Sequence, residues 1–293
     1  MKGGGHPAGS SRTLRQSLEE YARGVAGGLL FSLPLIYTME VWWAGFLARP
    51  PHLLLYFLAG FGLLFAYNRY SGLRQDASWS EVAFEAVEEM GLGLLLAAFL
   101  LWLLGQIQTG MNFGEVLGKV VVEGVTVAIG VSVGSAQLGG NGGDNGDGDQ
   151  GMAGKGEGGL GLPGQIALAA CGAVLFASNV APTEEIVMIA AEASPWKVLG
   201  LALLSLALSA LILFYSDFRG SDRLVPREER GPATVLSRIV LHYSVALVVS
   251  AFILWFFGRF NGASLPVCVA QIVVLGVAAS LGASVGRLLL QPS

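Results

Sequence analysis

Charged side chains are scarce in this chain, because Asp, Glu, Lys and Arg fill only 13% of its 293 positions, against about a quarter in ordinary soluble domains. Apolar residues fill 53% of positions, and the mean hydropathy is +0.62. This composition excludes an ordinary soluble domain. It indicates an integral membrane protein, whose first partner is the lipid bilayer.

Cysteine and histidine are also rare. Cys171 and Cys268 lie in apolar runs without a CxxC spacing, which argues against a disulfide framework or a zinc site. The three histidines are not spaced as paired metal ligands, and neither HExxH nor the phosphate-binding pattern GxxxxGK[ST] occurs. We therefore expect no enzyme activity, no cofactor and no nucleic-acid partner. Whether a metal ion binds stays open at this point.

Long apolar runs recur along the whole chain, each long enough to cross a hydrocarbon core of about 30 Å as a helix. Helices are expected rather than a barrel, because the runs are continuous and do not alternate with polar residues. The sequence predicts an all-α, polytopic helical membrane protein with eight spans, at 24–47, 52–69, 84–106, 116–137, 164–193, 197–216, 235–257 and 265–290.

The second half of the sequence repeats the first. With a constant shift of 145 positions, residues 30–74 align without a gap to residues 175–219. Each half has four predicted spans, an even number, so both halves enter the membrane from the same side. This predicts two parallel four-helix repeats about an axis along the membrane normal. The matched residues include Thr38 with Thr183, Glu40 with Glu185, Pro50 with Pro195, Tyr70 with Tyr215 and Arg74 with Arg219.

Two further matches follow at slightly larger shifts. FLLWLLG at 99–105 matches FILWFFG at 252–258, and EGVTVAIGVSVG at 123–134 matches LGVAASLGASVG at 275–286. The second match is rich in small residues, which let membrane helices approach closely. We therefore expect close helix packing at Gly130, Ser132, Gly134, Gly282, Ser284 and Gly286.

The distribution of basic residues predicts the topology. With a cytoplasmic N-terminus, thirteen Lys and Arg residues fall on the cytoplasmic side and four on the other, as the positive-inside rule requires. Both termini are then cytoplasmic. The expected segments are an N-terminal segment 1–23, a first repeat 24–138, a Gly/Asp-rich cytoplasmic linker 139–163 and a second repeat 164–293. Whether the linker binds calcium stays open; its aspartates are Asp144, Asp147 and Asp149.

Two glutamates lie inside predicted spans at equivalent positions of the two halves. Glu40 and Glu185 each precede by ten residues the proline that closes their helix, which places them about 15 Å from its outer end. A charge in the bilayer costs about 2.5–3.5 kcal/mol on insertion scales, so we expect these side chains to face the protein interior. Prolines free backbone carbonyls, which with threonine hydroxyls form a lining suited to hard cations. The predicted ion path comprises Glu40, Glu185, Glu184, Thr38, Thr183, Asn179 and Pro182.

The leading hypothesis is a cation channel or cation transporter in which Glu40 and Glu185 line the path of Ca²⁺, K⁺, Na⁺ or H⁺. The alternative is a proton-coupled cation antiporter that uses the same two glutamates. A third hypothesis is a membrane scaffold protein without transport, whose carboxyl groups only join helices by hydrogen bonds. Glu123 and His242 are secondary candidates for the site. A homo-oligomer is a further alternative for the assembly.

The segment NVAPTEE at 179–185, with the eight-span layout and the chain length, resembles a family of bacterial integral membrane proteins of unknown function. The resemblance covers most of the chain from the first span onward. It implies a multi-pass protein of the bacterial inner membrane and transfers no established activity. Asn-x-x-Pro followed by glutamates is also similar to the ion-binding repeats of cation/calcium exchangers, but those repeats are inverted and have an odd number of spans each.

Overall fold

The computed structural model describes residues 14–71, 78–138, 161–220 and 232–289, and these residues confirm the all-helical fold. Positions 1–13 of the N-terminal segment and 139–160 of the linker, with its three aspartates, lie outside the described residues. Ten helices form in the order α1 (Leu14–Ile36), α2 (Met39–Leu47), α3 (Pro50–Ser71), α4 (Trp79–Leu103), α5 (Phe113–Leu138), α6 (Leu162–Ala177), α7 (Glu184–Glu192), α8 (Pro195–Gly220), α9 (Pro232–Phe256) and α10 (Leu265–Leu289).

The predicted span 24–47 is not one helix. It is divided between α1 and α2, which are separated by Tyr37 and Thr38. Pro34 lies in the last turn of α1, where its missing N–H and its ring weaken the helix. The chain resumes its helix at Met39 after a short turn in which the Thr38 N–H donates to the Leu35 carbonyl. The expectation of an unbroken first span is therefore wrong.

The predicted span 164–193 is broken more widely, between α6 and α7. Residues 178–183 form turns, closed by bonds from the N–H groups of Val180 and Ala181 to the Ala177 carbonyl. Pro182 follows in these turns, and with no N–H it cannot restore the helical hydrogen bonds. The expectation of an unbroken fifth span is therefore also wrong.

In the part of the chain that the structure describes, six helices have the length and hydropathy to cross a membrane, whereas the sequence predicts eight spans. The broken segments account for the difference, because α6 is a shorter apolar helix and α2 and α7 have only nine residues each. The candidate spans among the described residues are Pro50–Tyr70, Trp79–Leu103, Phe113–Ser135, Pro195–Ile212, Leu236–Phe256 and Leu265–Val285.

Each half of the chain is organised around its last helix. In the first half α1, α2, α3 and α4 pack against α5, and in the second half α6, α7, α8 and α9 pack against α10. Glycines permit the closest approaches, because Gly27 of α1 meets Gly134 of α5, and Gly172 of α6 meets Gly282 of α10. A Cβ atom at any of these four glycines would collide with the facing backbone. This agrees with the close packing expected at Gly134 and Gly282.

The two halves meet mainly where α3 of the first half packs against α6 of the second half. The apolar core at this contact includes Tyr56 and Tyr67 of α3 and Cys171 and Leu175 of α6. In the described residues no comparable packing joins α8 to α1, which occupy the corresponding places in the chain. The contact between the halves is therefore made by α3 with α6 and is not repeated by α8 with α1.

Candidate functional site

The two glutamates of the predicted ion path occupy the same position in two short helices. Glu40 is the second residue of α2 and Glu185 the second residue of α7. A carboxylate in the first turn of a helix is stabilised by the positive end of the helix dipole. The position in the helix can therefore explain each glutamate even if no cation binds there. Glu40 is half-buried and Glu185 is exposed on the described surface, so neither is enclosed in the protein core.

The two threonines that precede these glutamates cap the same helices. Thr38 is the N-cap residue of α2 and Thr183 that of α7, but neither side chain makes a capping hydrogen bond to the backbone of its helix. Each hydroxyl turns back into the break. The Thr38 hydroxyl donates to the Pro34 carbonyl at 2.7 Å, and the Thr183 hydroxyl donates to the Val180 carbonyl at 2.8 Å. These hydroxyls satisfy carbonyls that the breaks release from the helical pattern.

Asn179 connects the two breaks. Its amide group donates to the Leu175 carbonyl at 2.5 Å and to the Phe31 carbonyl of α1 at 3.4 Å. Its buried side-chain oxygen has no hydrogen-bond partner. Pro182 is buried in the same turns. Because this segment is not helical, Asn179 and Thr183 do not share a helix face as their spacing suggests.

Glu184 has a partner that explains why it lacks an equivalent in the first half. The Arg259 guanidinium, in the turn after α9, donates to the Glu184 carboxylate at 2.7 Å. The corresponding residues of the first half are Met39 and Gln106, so both members of the ion pair are replaced together. Glu184 therefore has an ion-pair partner in the second half that the first half lacks.

Glu123 lies in a different place from the other predicted residues, in the core beside the contact between the halves. Its side chain is 0% exposed, and among the described residues neither carboxyl oxygen has a hydrogen-bond partner. It interacts electrostatically with Tyr56 of α3, whose hydroxyl lies 3.3 Å from the Thr126 hydroxyl and close to the buried Ser178 at the start of the α6–α7 break. An unpaired buried carboxyl group is costly and calls for an explanation.

A second cluster of polar side chains lies near the C-terminal end of α3. The Asn68 amide donates to the Glu89 carboxylate at 2.7 Å, and the Ser132 hydroxyl donates to the Asn68 oxygen at 3.0 Å. Asn68 and Ser132 are buried, and the adjacent Tyr67 hydroxyl has no hydrogen-bond partner. The sequence argument missed this cluster, because Glu89 belongs to the acidic stretch EVAFEAVEEM, which is typical of a solvated helix end.

Apolar residues separate the two polar clusters. Gly60 of α3 contacts the side chain of Val125 so closely that a Cβ atom would not fit. Leu64 of α3 and Ile129 of α5 are fully buried in the same core. Along α5, Val125 and Ile129 therefore lie between Glu123 and Ser132, and along α3, Gly60 and Leu64 lie between Tyr56 and Asn68.

The remaining candidate, His242, is fully buried in α9, with its Nδ1 atom 2.7 Å from the Arg238 carbonyl one turn earlier. Among the described residues no three His, Cys, Asp or Glu side chains are grouped as metal ligands. The pentapeptides GVSVG at 130–134 and GASVG at 282–286 have the spacing of a hydrolase nucleophile motif. They lie within α5 and α10, and not at the strand-to-helix turn that such a motif needs.

The fold and the apolar spans define an integral, multi-pass, all-helical membrane protein. Residues 20–290 match the family model described as "Putative integral membrane protein (DUF2391)". The chain belongs to this family, which confirms the resemblance that NVAPTEE and the span layout indicate. No curated protein and no solved structure matches the chain.

Proposed function

We propose that this chain is a proton-coupled cation transporter in which Glu123 carries a proton between the two sides of the membrane. The observation that supports this proposal is the complete burial of Glu123 with both carboxyl oxygens unpaired. Protonation removes the charge, and a neutral carboxyl group costs much less to bury than a carboxylate. A carboxyl group in such a site can hold a proton in the closed protein and release it when water or a cation enters.

The packing supports a transporter over a channel. Between Glu123 and Glu89 the helices are closely packed, with Gly60 against Val125. An ion could pass between these two carboxyl groups only if the helices moved apart. The breaks between α1 and α2 and between α6 and α7 supply places where such movement is possible at low cost, as in transporters with discontinuous helices.

The proposal assigns Glu40 and Glu185 to the outer mouths of the path rather than to a constriction. Both stand at the starts of short helices, and neither is enclosed. Their equivalent positions support the internal duplication, as does the same order of one broken helix and three long helices in each half. We also propose that the two repeats are parallel and that both termini are cytoplasmic, which the distribution of basic residues favours. The family resemblance favours a location in the bacterial inner membrane.

The test is ion flux in liposomes that contain the purified protein and a pH-sensitive dye. Imposed gradients of K⁺, Na⁺ or Ca²⁺ should drive proton movement with the wild-type protein. Glu123→Gln should abolish this coupled flux, because the amide cannot release a proton, while Glu40→Gln and Glu185→Gln should raise the cation concentration needed for half-maximal flux.

The matched control is Glu81→Gln, which preserves the capping box that Glu81 forms with Ser78 at the start of α4. It should transport like the wild type. Steady current that Glu123→Gln leaves intact would favour the channel instead. Absence of flux for every cation, from protein that is folded by circular dichroism, would leave the scaffold hypothesis.

A further inference from the structure

Helices α4 and α9 end with the same local structure. Each helix ends at a glycine with positive φ, Gly105 at 73° and Gly258 at 68°. In each, the residue after this glycine donates its N–H to the carbonyl five positions back, from Gln106 to Leu101 and from Arg259 to Leu254. This is the usual geometry of a glycine-capped helix end. The backbone therefore presents the preceding side chains in the same way at both ends.

The side chains at the two ends also match. We call Phe99, Trp102 and Leu103 the α4 tip, and Phe252, Trp255 and Phe256 the α9 tip. The rings of Phe99 and Trp102 are 6.3 Å apart and tilted by 34°, and those of Phe252 and Trp255 are 6.0 Å apart and tilted by 35°. The two tips thus share the same Phe–Trp pair and differ at the third residue, which is Leu103 in the α4 tip and Phe256 in the α9 tip.

Their surroundings differ. The α9 tip packs on α3 of the other half, where Trp255 lies 5.1 Å from the His52 ring and Phe256 stacks at 4.2 Å on Tyr56. Phe256 is only 7% exposed. In the α4 tip Phe99 is 55% exposed, Trp102 62% and Leu103 63%. Within the described residues the α4 tip is an unoccupied copy of a surface that the other half uses for docking.

The surface that would receive the α4 tip is also present and open. The duplication places Lys197 and Leu201 of α8 at the positions of His52 and Tyr56. Both residues line a cleft of about 460 Å³ between α7 and α8, with Glu192 at its edge and Ile189, Gly200 and Leu204 on its apolar walls. The chain therefore contains one pair of surfaces that are docked on each other, and a second pair, the α4 tip and the α7–α8 cleft, that do not meet within the described residues; in this cleft Leu201 also packs on the core of its own half.

Helices α6 and α1 differ in the same way, because a face that is covered on α6 is exposed on α1. On α6, Leu175 is 3% exposed and Ser178 0%, because α3 covers this face. On α1 the equivalent residues, Leu30 and Leu33, are 70% and 42% exposed. The helix equivalent to α3 is α8. The contact of α3 with α6, which is made once inside the chain, therefore corresponds to a contact between the outer face of α8 and the exposed face of α1.

We propose that a second copy of this chain docks head-to-tail, with the α4 tip and α1 of one copy seated against α8 and the α7–α8 cleft of the other. The contact reproduces between chains the packing of α3 on α6 and α9. In it Trp102 stacks on the Lys197 ammonium, a cation–π pair at the position of the His52–Trp255 contact. Head-to-tail contacts close into rings, and the smallest ring is a dimer in which each tip enters the other cleft. The inference depends on the duplication and not on the transported ion.

The test is disulfide cross-linking in native membranes, in chains whose own cysteines are replaced by Cys171→Ala and Cys268→Ala. A Trp102→Cys chain with one tag is co-expressed with a Lys197→Cys chain with another. Oxidation should join them into a species of twice the chain mass that carries both tags. Each variant expressed alone should give no such species.

Two controls make the result decisive. Leu95→Cys in place of Trp102→Cys should not cross-link, because Leu95 and its counterpart Val248 are each 70% exposed, as expected of residues that face lipid in both halves. Gly24→Cys with Ser135→Cys in one chain should form an intrachain disulfide, because a Cβ atom at Gly24 would lie 2.9 Å from the Ser135 hydroxyl oxygen. This disulfide shows that oxidation works. Equal cross-linking from Leu95→Cys, or none from Trp102→Cys while the intrachain disulfide forms, would overturn the proposal.

Discussion

Glu123 lies fully buried in α5 with neither carboxyl oxygen hydrogen-bonded, while the second half of the chain has Leu275 at the equivalent position. A residue kept for stability would not be expected to leave both of its polar atoms unsatisfied. The sequence indicates Glu123 as a candidate site residue because it is an acidic residue within an apolar run. It could not indicate the electrostatic interaction of Glu123 with Tyr56, because Tyr56 comes from α3.

Replacing Glu123 by the residue of the other half gives a prediction that separates function from stability. Glu123→Leu should raise the free energy of unfolding by about 1–3 kcal/mol, since it removes an unsatisfied buried group, and should abolish coupled transport. Thermal melting in detergent measures the first effect and liposome flux the second. A lower melting temperature for Glu123→Leu than for the wild type would instead mean that the carboxyl group stabilises the fold.

At the scale of the helices, close packing depends on glycine. Gly172 of α6 faces the carbonyl of Gly282 on α10, and a Cβ atom there would displace one of the two helices. Gly172→Ala should therefore lower stability by about 1–3 kcal/mol, as overpacking does elsewhere. The measurement is the midpoint of thermal unfolding, followed by circular dichroism in detergent.

The control for this prediction is Gly62→Ala in α3, where nothing lies within 4 Å of the added Cβ atom. Alanine favours the helix over glycine by up to about 1 kcal/mol, so this variant should match or exceed the wild type. If Gly172→Ala and Gly62→Ala unfold at the same midpoint temperature, the α6–α10 contact is looser than the structure indicates. The glycines were visible in the sequence as small residues in apolar runs, but their partners were not.

The helix breaks show the limit of sequence reasoning at the same scale. Pro34 and Pro182 were visible as helix-weakening residues, but hydropathy stays high across both breaks, and each run was therefore predicted as one span. Thr-x-Glu was interpreted as an ion lining. It also fits the start of a helix, with a threonine at the N-cap and a glutamate in the first turn.

At the scale of the whole molecule, the basic residues predict which ends of the helices face the cytoplasm. In a chain with Cys171→Ala and Cys268→Ala, a membrane-impermeant maleimide added to intact cells should label Ser194→Cys, between α7 and α8. It should label Gly154→Cys in the linker only after the cells are permeabilised. The reverse pattern of labelling would invert the topology, and labelling of both sites in intact cells would contradict the single crossing predicted between them.

The sequence by itself determined that the protein is helical and lies in a membrane, that residues of its two halves match at a constant shift, and that acidic residues interrupt its apolar runs. These properties are local: they depend on composition, on the length of runs and on matched positions. Only the tertiary structure decided that Glu184 pairs with Arg259, that Glu123 lies beside Tyr56, and that α3 covers α6 while α1 stays exposed. The physical reason is that lipid and protein interior are both apolar, so a membrane helix carries little sequence signal for which face meets another helix.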